Sequence, residues 1–573
     1  MYTSLVDTSH VSNYTTNLLT LCALALAVNS AEEWRHVNIV QGPVRGRIDP
    51  DGGLYNFYNI PYATAPTGKD RFKAPLPPPV WLTTFDAVDR EIMCPQYNVR
   101  LTMQEDCLVA NIFAPDTDEI NLPVVVIVHG GAYQRGFGNT RMFKNLVRKE
   151  KVIVVSFNYR LGVHGFLCLG TEGVPGNAGL KDQVALLRWV KTNIASFGGN
   201  PEDVTLSSCS AGGGSTDMLT LSSITTGLFQ KAMIGSGAST GAVGVQIDPT
   251  ENAKYYARIL GFTDVDDMER LEEFYQTATF QQLLSRHDVI TNKENVAILF
   301  SPCIERDIGQ ERVIADTPMN VIKSGKYNKV PLLYGYANME GLMRRSLFDT
   351  WKDKMNEKFS DFLPAELHFD SEAEKEALAK TVKQYYFGDK PVGEDTMLEY
   401  IDYFTDVLFG YPMLYLLTAR VESLGDTIYL YEYSFVDEDT PVIPNTDGVR
   451  GANHCEQTQV MSDQTDRTDE FNQMSNIIGK YFVNFIFTGS PVANDTSLVA
   501  WPPANAKRAP YMMLEHPAQL RTDVLGSRDV FWDPIYEKYY RGPLMPAVTG
   551  GAVSIMVSKV IFSVVVLLYS INL

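Results

Sequence analysis

Positive charge is in deficit in this chain. There are 49 Lys and Arg against 68 Asp and Glu, a formal net charge of −19. No basic stripe offsets that balance, which argues against nucleic acid as a partner. Cysteine is scarce as well, with seven in 573 residues, too few for a disulfide-scaffold protein. Long hydrophobic runs are missing: the apolar stretch Leu18–Val28 and the uncharged stretch Val560–Leu573 are both short for the ~30 Å of a bilayer's hydrocarbon. Internal repeats, low-complexity tracts and a composition break are absent too. What remains is a chain with 45% hydrophobic residues, enough to bury one large core.

The two ends carry targeting patterns. Leu18–Val28 is followed by the small residues Asn29, Ser30 and Ala31 and reads as a secretory signal over residues 1–30, although no Lys or Arg precedes it. A buried N-terminal helix is the alternative. At the other end, Gly550-Gly-Ala552 precedes Lys559 and the uncharged run to Leu573, the pattern of a removable glycolipid (GPI) anchor signal over residues 549–573. A single-pass helix that includes Val553 to Lys559 is the alternative. These patterns predict a secreted or cell-surface protein, attached to the membrane through a processed C-terminus. In that compartment Cys94 and Cys107, 13 residues apart, are expected to form a disulfide loop, and Asn494-Asp-Thr is a glycosylation acceptor.

The body of the chain alternates strand and helix signals. Asn38–Val40 and Val44–Ile48 read as paired edge strands around Gly42-Pro43. Phe57–Ala63 leads into a proline-rich loop running to Pro79. Pro123–Val128 and Val152–Ser156 are continuous β-branched runs, as in strands buried on both faces of a mostly parallel sheet. Between Gln183 and Ser196 the spacing of Val184, Leu187, Val190 and Ile194 is helical. Val204-Thr-Leu-Ser-Ser-Cys-Ser-Ala-Gly-Gly-Gly214 then runs from strand through a small-residue turn into a helix, the order a nucleophile elbow requires, with Ser210 at its centre. His129-Gly-Gly-Ala-Tyr133 follows a buried strand directly, where glycines let backbone amides approach a ligand. Further strands are expected at Val330–Tyr334 and Thr427–Tyr433, separated by a mostly helical insertion. The predicted fold class is therefore α/β, a central sheet with helices on both faces.

These stretches resemble the type-B carboxylesterase/cholinesterase family of α/β-hydrolases over nearly all of residues 31–548. Glu105-Asp-Cys-Leu is similar to that family's EDCL segment, and Asn158-Tyr-Arg-Leu-Gly-Val-His-Gly-Phe to its NYRLG…GF segment. Gly176-Asn-Ala-Gly-Leu-Lys-Asp-Gln and Asn193-Ile-Ala-Ser-Phe-Gly-Gly-Asn-Pro follow in the family's order. The resemblance implies Ser210 as nucleophile, His454 as base, Glu340 as triad acid, and the amides of Gly131, Ala132 and Ala211 as the oxyanion hole. A serine hydroxyl is a weak nucleophile at neutral pH, so an imidazole must take its proton, held and stabilised by a carboxylate on its other nitrogen. Such chemistry needs no cofactor and no metal. The implied partner is a small-molecule ester, hydrolysed through an acyl-enzyme, and oligomeric state is not legible.

Several residues depart from the family pattern. Ser208 stands where Gly-x-Ser-x-Gly begins with glycine, and Cys209 replaces the glutamate before the nucleophile. Ala132 replaces the third glycine of the oxyanion loop, and Cys455 the glycine after the histidine. Tyr97 stands at the cation-binding tryptophan of a cholinesterase, which points to uncharged or lipophilic esters rather than choline esters. Cys209 and Cys455 flank two groups that must meet, so a disulfide between them is one expectation. Two free, space-filling thiols are the other, and Cys168 and Cys303 stand as further candidate partners. The competing functional reading is a catalytically silent adhesion or ligand-binding module on the same fold.

Overall fold

The computed structural model describes residues 34–97, 103–139, 143–286, 293–464 and 467–546. The expected signal and anchor segments, 1–30 and 549–573, lie outside the described residues. Among the described residues, no helix is long and apolar enough to cross a membrane.

Among the described residues, thirteen strands form one sheet. In chain order they are β1 Trp34–Ile39, β2 Gly42–Ile48, β3 Leu54–Pro61, β4 Phe85–Asp86, β5 Val109–Pro115, β6 Leu122–Val128, β7 Ile153–Phe157, β8 Gly199–Cys209, β9 Lys231–Gly235, β10 Leu332–Ala337, β11 Ile428–Tyr433, β12 Tyr511–Leu514 and β13 Gln519–Arg521. Their order across the sheet is β1-β2-β3-β5-β7-β6-β8-β9-β10-β11-β12-β13, with β4 beside β2. From β7 through β12 every neighbouring pair is parallel, whereas β1–β2, β2–β3, β3–β5, β5–β7 and the closing β12–β13 pair are antiparallel; the short β4 pairs parallel to β2. This is the α/β-hydrolase arrangement, a mostly parallel sheet covered on both faces.

The strand period of two explains the covering. Along β6, Val124, Val126 and Val128 face one hydrophobic cluster while Val125 belongs to the other; along β7, Ile153 and Val155 face the first and Val154 the second. The first cluster takes the helices Ala178–Asn193 and Ala211–Leu221 together with most of the insertion between β10 and β11. Helix Asp469–Thr488 covers the second face through Phe471, Met474, Ile478, Phe482 and Phe485, a stripe at helical spacing. Thr468 caps that helix by accepting from the Phe471 amide at 3.0 Å, Asp469 and Glu470 occupy its first turn, and Gly489 ends it at φ 75°. Replacing a cap of this kind by alanine costs about 1 kcal/mol.

The insertion is helical, as expected: Phe348–Glu357, Glu372–Phe387, Met397–Thr405 and Tyr411–Leu424, with a π-helical turn at Asp406–Gly410 between the last two. Two arginines, Arg420 buried and Arg528 half-buried, fasten it. Arg420 donates to Asp217 at 3.0 Å and so ties Tyr411–Leu424 to Ala211–Leu221. Arg528 grips the buried Asp406 with two hydrogen bonds, 2.7 and 2.9 Å, anchoring the π turn.

Some boundaries differ from the sequence reading. The helix expected from Gln183 begins at Ala178 and gives way to a 3-10 turn after Asn193. Phe57–Ala63 is not merely a lead-in to a loop, because its first half lies within β3, paired to β5. Asn111 and Pro115 interrupt the apolar run Val109–Pro115, which went unread as β5, yet all seven residues are buried.

Candidate active site

Ser210 sits between β8 and the helix Ala211–Leu221 with φ 63° and ψ −131°, a conformation costly for a residue with a Cβ. The surroundings hold it there. The Ser210 amide donates to Gly235 O at 3.0 Å, and the Gly214 amide donates to Ser210 O at 2.9 Å. Glycine is required beside it: a Cβ on Gly212 would stand 2.2 Å from Val128 O, and one on Gly237 would stand 2.4 Å from Ser210 O. Ser208 fits without glycine because its hydroxyl bonds Met233 O across to β9 at 3.1 Å.

Glu340 is fully buried just after β10. Its Oε1 accepts from the Ala337 amide at 2.8 Å and from the Ser236 hydroxyl at 2.5 Å, and its Oε2 lies 2.5 Å from His454 Nδ1. His454 Nε2 lies 2.8 Å from Ser210 Oγ, so one continuous line of polar contacts runs from carboxylate to hydroxyl. The two loops are stitched to each other: Met339 N donates to Ala452 O at 3.1 Å and Ala452 N to Asn338 Oδ1 at 2.9 Å. Phe409, presented by the π turn, stacks on the His454 ring at 4.5 Å and 17°.

The loop after β6 packs against the elbow. A Cβ on Gly130 would stand 2.7 Å from Cys209 O and 2.9 Å from Ser210 Cβ. Gly131 has φ 114°, and Ala132 and Tyr133 also adopt positive φ, 55° and 60°. Ala211 opens its helix, so its amide has no acceptor within that helix. His129 stacks on Tyr159 at 4.3 Å and its Nδ1 lies 2.9 Å from Gly130 O. Burial pushes its pKa down to about 4, which keeps the ring neutral.

Among the described residues, three disulfides join Cys94 to Cys107, Cys168 to Cys303 and Cys209 to Cys455. Cys168 and Cys303 are thus partners of each other, not of the cysteines at the site. Nothing in their sequence spacing indicated this; Gly176, where a Cβ would meet both sulfurs at 2.6 and 2.7 Å, makes the room. The other motif residues are structural staples. Arg160 grips Asp182 through two bonds, 2.8 and 2.6 Å, and the Asn158 side chain binds Gly138 N, Ile92 O and Cys107 O. Tyr97 is 45% exposed and Asn494 lies exposed at a turn. Ser236, Phe409 and Gln457 went unrecognised in the sequence; only Ser236, in the Gly235-Ser-Gly-Ala-Ser run after a strand, left a signal there.

The family model described as "Carboxylesterase family" matches residues 33–532. The chain belongs to the carboxylesterase family. A carboxylic ester hydrolase of Bombus ignitus is 30% identical over 532 residues, covering 88% of this chain and 94% of its own. Juvenile hormone esterase of Heliothis virescens is 31% identical over 559 residues, 91% of this chain and 97% of its own. Among solved structures, juvenile hormone esterase from Manduca sexta with OTFP covalently attached superimposes with a TM-score of 0.77 at 29% identity, covering 88% of this chain and all of that one. Family and relatives are esterases rather than acetylcholinesterases, and the chain is a carboxylic ester hydrolase.

Proposed function

We propose that Ser210 is the nucleophile, His454 the general base and then acid, and Glu340 the carboxylate that orients the imidazole. The observation that carries this reading is the line Glu340 Oε2, His454 Nδ1, His454 Nε2, Ser210 Oγ, with gaps of 2.5 and 2.8 Å. With Nδ1–H donated to Glu340, Nε2 presents its lone pair to the hydroxyl. It takes that proton as Oγ attacks the ester carbonyl, and Glu340 stabilises the imidazolium. The same proton then passes to the departing alcohol. Water deacylates the serine by the reverse roles. The amides of Gly131, Ala132 and Ala211 are the donors we assign to the oxyanion, each worth roughly 10²–10³ in rate.

Uncharged or lipophilic esters suit the uncharged groups beside Ser210 and His454, namely Phe409 stacked on the imidazole and the Cys209–Cys455 disulfide. An extracellular setting is supported by the three disulfides, since cytosolic thiols are kept reduced. The proposal extends to residues 1–30 as a removed leader, 31–548 as the catalytic body with a glycan on Asn494, and 549–573 as a glycolipid-anchor signal. These rest on the sequence patterns. Release of activity from intact cells by phosphatidylinositol-specific phospholipase C tests the anchor.

The nucleophile is tested with a short-chain aryl ester. Ser210→Ala should lower kcat by at least about 10⁴-fold and abolish covalent labelling by an organophosphate. Turnover by the variant near the wild-type rate would place the nucleophile elsewhere.

A further inference from the structure

Behind Glu340 lies a polar chain that the reaction as described does not use. Ser236 follows β9 and is fully buried, and its hydroxyl donates to Glu340 Oε1 at 2.5 Å. On the far side of that hydroxyl stands Gln457, three residues after His454 and only 2% exposed. Its Nε2 donates to Ser236 Oγ at 2.9 Å and lies 3.6 Å from Cys209 Sγ. Gly235 leaves the space for this amide, because a Cβ there would stand 2.7 Å from Gln457 Nε2. The Tyr431 hydroxyl borders the same space, 3.1 Å from that hypothetical Cβ.

Proton counting fixes the direction of the chain. An ionised carboxylate accepts only, and a hydroxyl has a single proton. With that proton given to Glu340, Ser236 can only accept from its other neighbour, so that neighbour must be a donor. An amide nitrogen meets the requirement and is neutral. We propose that Gln457 is a positioning residue for ester hydrolysis: by donating to Ser236 it locks the serine proton onto Glu340 and leaves Oε2 free for His454.

Gln457 thereby reaches the imidazole through two intervening groups without touching substrate. It also binds both sides of the site, because it belongs to the histidine loop while its amide lies beside Cys209 on the elbow strand. Donors arranged in series polarise one another and strengthen the terminal bond, here the one that holds the carboxylate. A second carboxylate at position 457 would do the opposite. Ionised, it would face Ser236 as an acceptor and add negative charge behind Glu340, making the imidazolium harder to deprotonate. Protonated, it would donate as the amide does, and activity would then fall as it ionised.

The inference rests on the triad reading, so wild type and Ser210→Ala are compared first; equal rates would defeat that reading rather than this one. With the wild type active, kcat/KM for an aryl ester is followed from pH 5 to 9 in Gln457→Glu and Gln457→Met. Q457E is expected either to move the acid limb up by about one pH unit or to acquire a new decline at higher pH, according to its ionisation. Q457M, which fills the space without donating, is expected to lose about tenfold in kcat with KM within twofold of wild type. Wild-type kcat in Q457M overturns the inference, and a Q457E profile that superimposes on the wild type supports it only together with the Q457M loss. If Q457E does not accumulate, Q457M alone and in a Ser236→Ala background decides: non-additive kcat losses support the relay, and additive losses overturn it.

Discussion

The disulfide between Cys209 and Cys455 ties together the chain neighbours of Ser210 and His454, with the two Cα atoms 6.0 Å apart. The bond closes 246 residues of sequence on the two groups we propose exchange a proton. It also fills the position before the nucleophile with an uncharged link. Opening it should affect both function and stability. Cys209→Ala/Cys455→Ala is expected to lose at least about tenfold in kcat, since small displacements between reacting groups are costly. Its stability should fall by roughly 2–4 kcal/mol through the freed unfolded chain. Aryl-ester turnover and calorimetry measure the two. Lower stability with unchanged kcat would reduce the bond to a structural staple.

Phe409 and His454 supply a second test. Their stacked rings, 4.5 Å apart, limit imidazole rotation and, on the mechanism we propose, place a π face against the imidazolium. Phe409→Leu keeps an apolar contact but removes that face. A loss of about 3- to 30-fold in kcat is expected, corresponding to roughly 0.5–2 kcal/mol, with a smaller change in KM. A change confined to KM would make Phe409 a substrate wall only.

How much of this was legible beforehand depended on whether the signal was local. β6 and β7 announce themselves because strands buried on both faces must be continuously apolar, and the elbow because its turn needs small residues in a row. Glu340 and His454 are not locally distinctive, and they came into view only through resemblance to a family. Phe409 and Gln457 had no such route. One depends on a π turn anchored by Asp406 and Arg528, far apart in sequence, and the other on the space left by Gly235 across the sheet. Likewise the Cys168–Cys303 pair spans 135 residues, and spacing alone could not choose its partners.

His129 sets an acid limit. Burial lowers its pKa to about 4, and His164 is lowered to about 3 by burial with help from Arg71 and Arg160. The unfolded chain binds these protons near pH 6.5, whereas the fold refuses them, so stability is full above that value and falls as pH drops toward 4. For His129 alone the loss at pH 5 is about 2 kcal/mol. Thermal midpoints at pH 7.5 and 5 should therefore differ, and the difference should shrink in His129→Asn. An identical drop in the variant would assign the acid sensitivity to other groups.

Glu366 sets the opposite limit. It is fully buried, accepts from the Tyr536 hydroxyl at 2.7 Å and from the Ala242 amide at 3.3 Å, and burial raises its pKa to about 7. The fold holds a proton that the unfolded carboxyl releases near 4.5, so stability falls as pH rises between those values and stays lowered above 7. The difference corresponds to about 3 kcal/mol. Ala242 belongs to the segment after β9 that also carries Ser236. Glu366→Gln cannot ionise. Whatever its stability at pH 5, its thermal midpoint relative to wild type should improve on going to pH 8. A constant offset between the two proteins across that range would show that Glu366 does not titrate there.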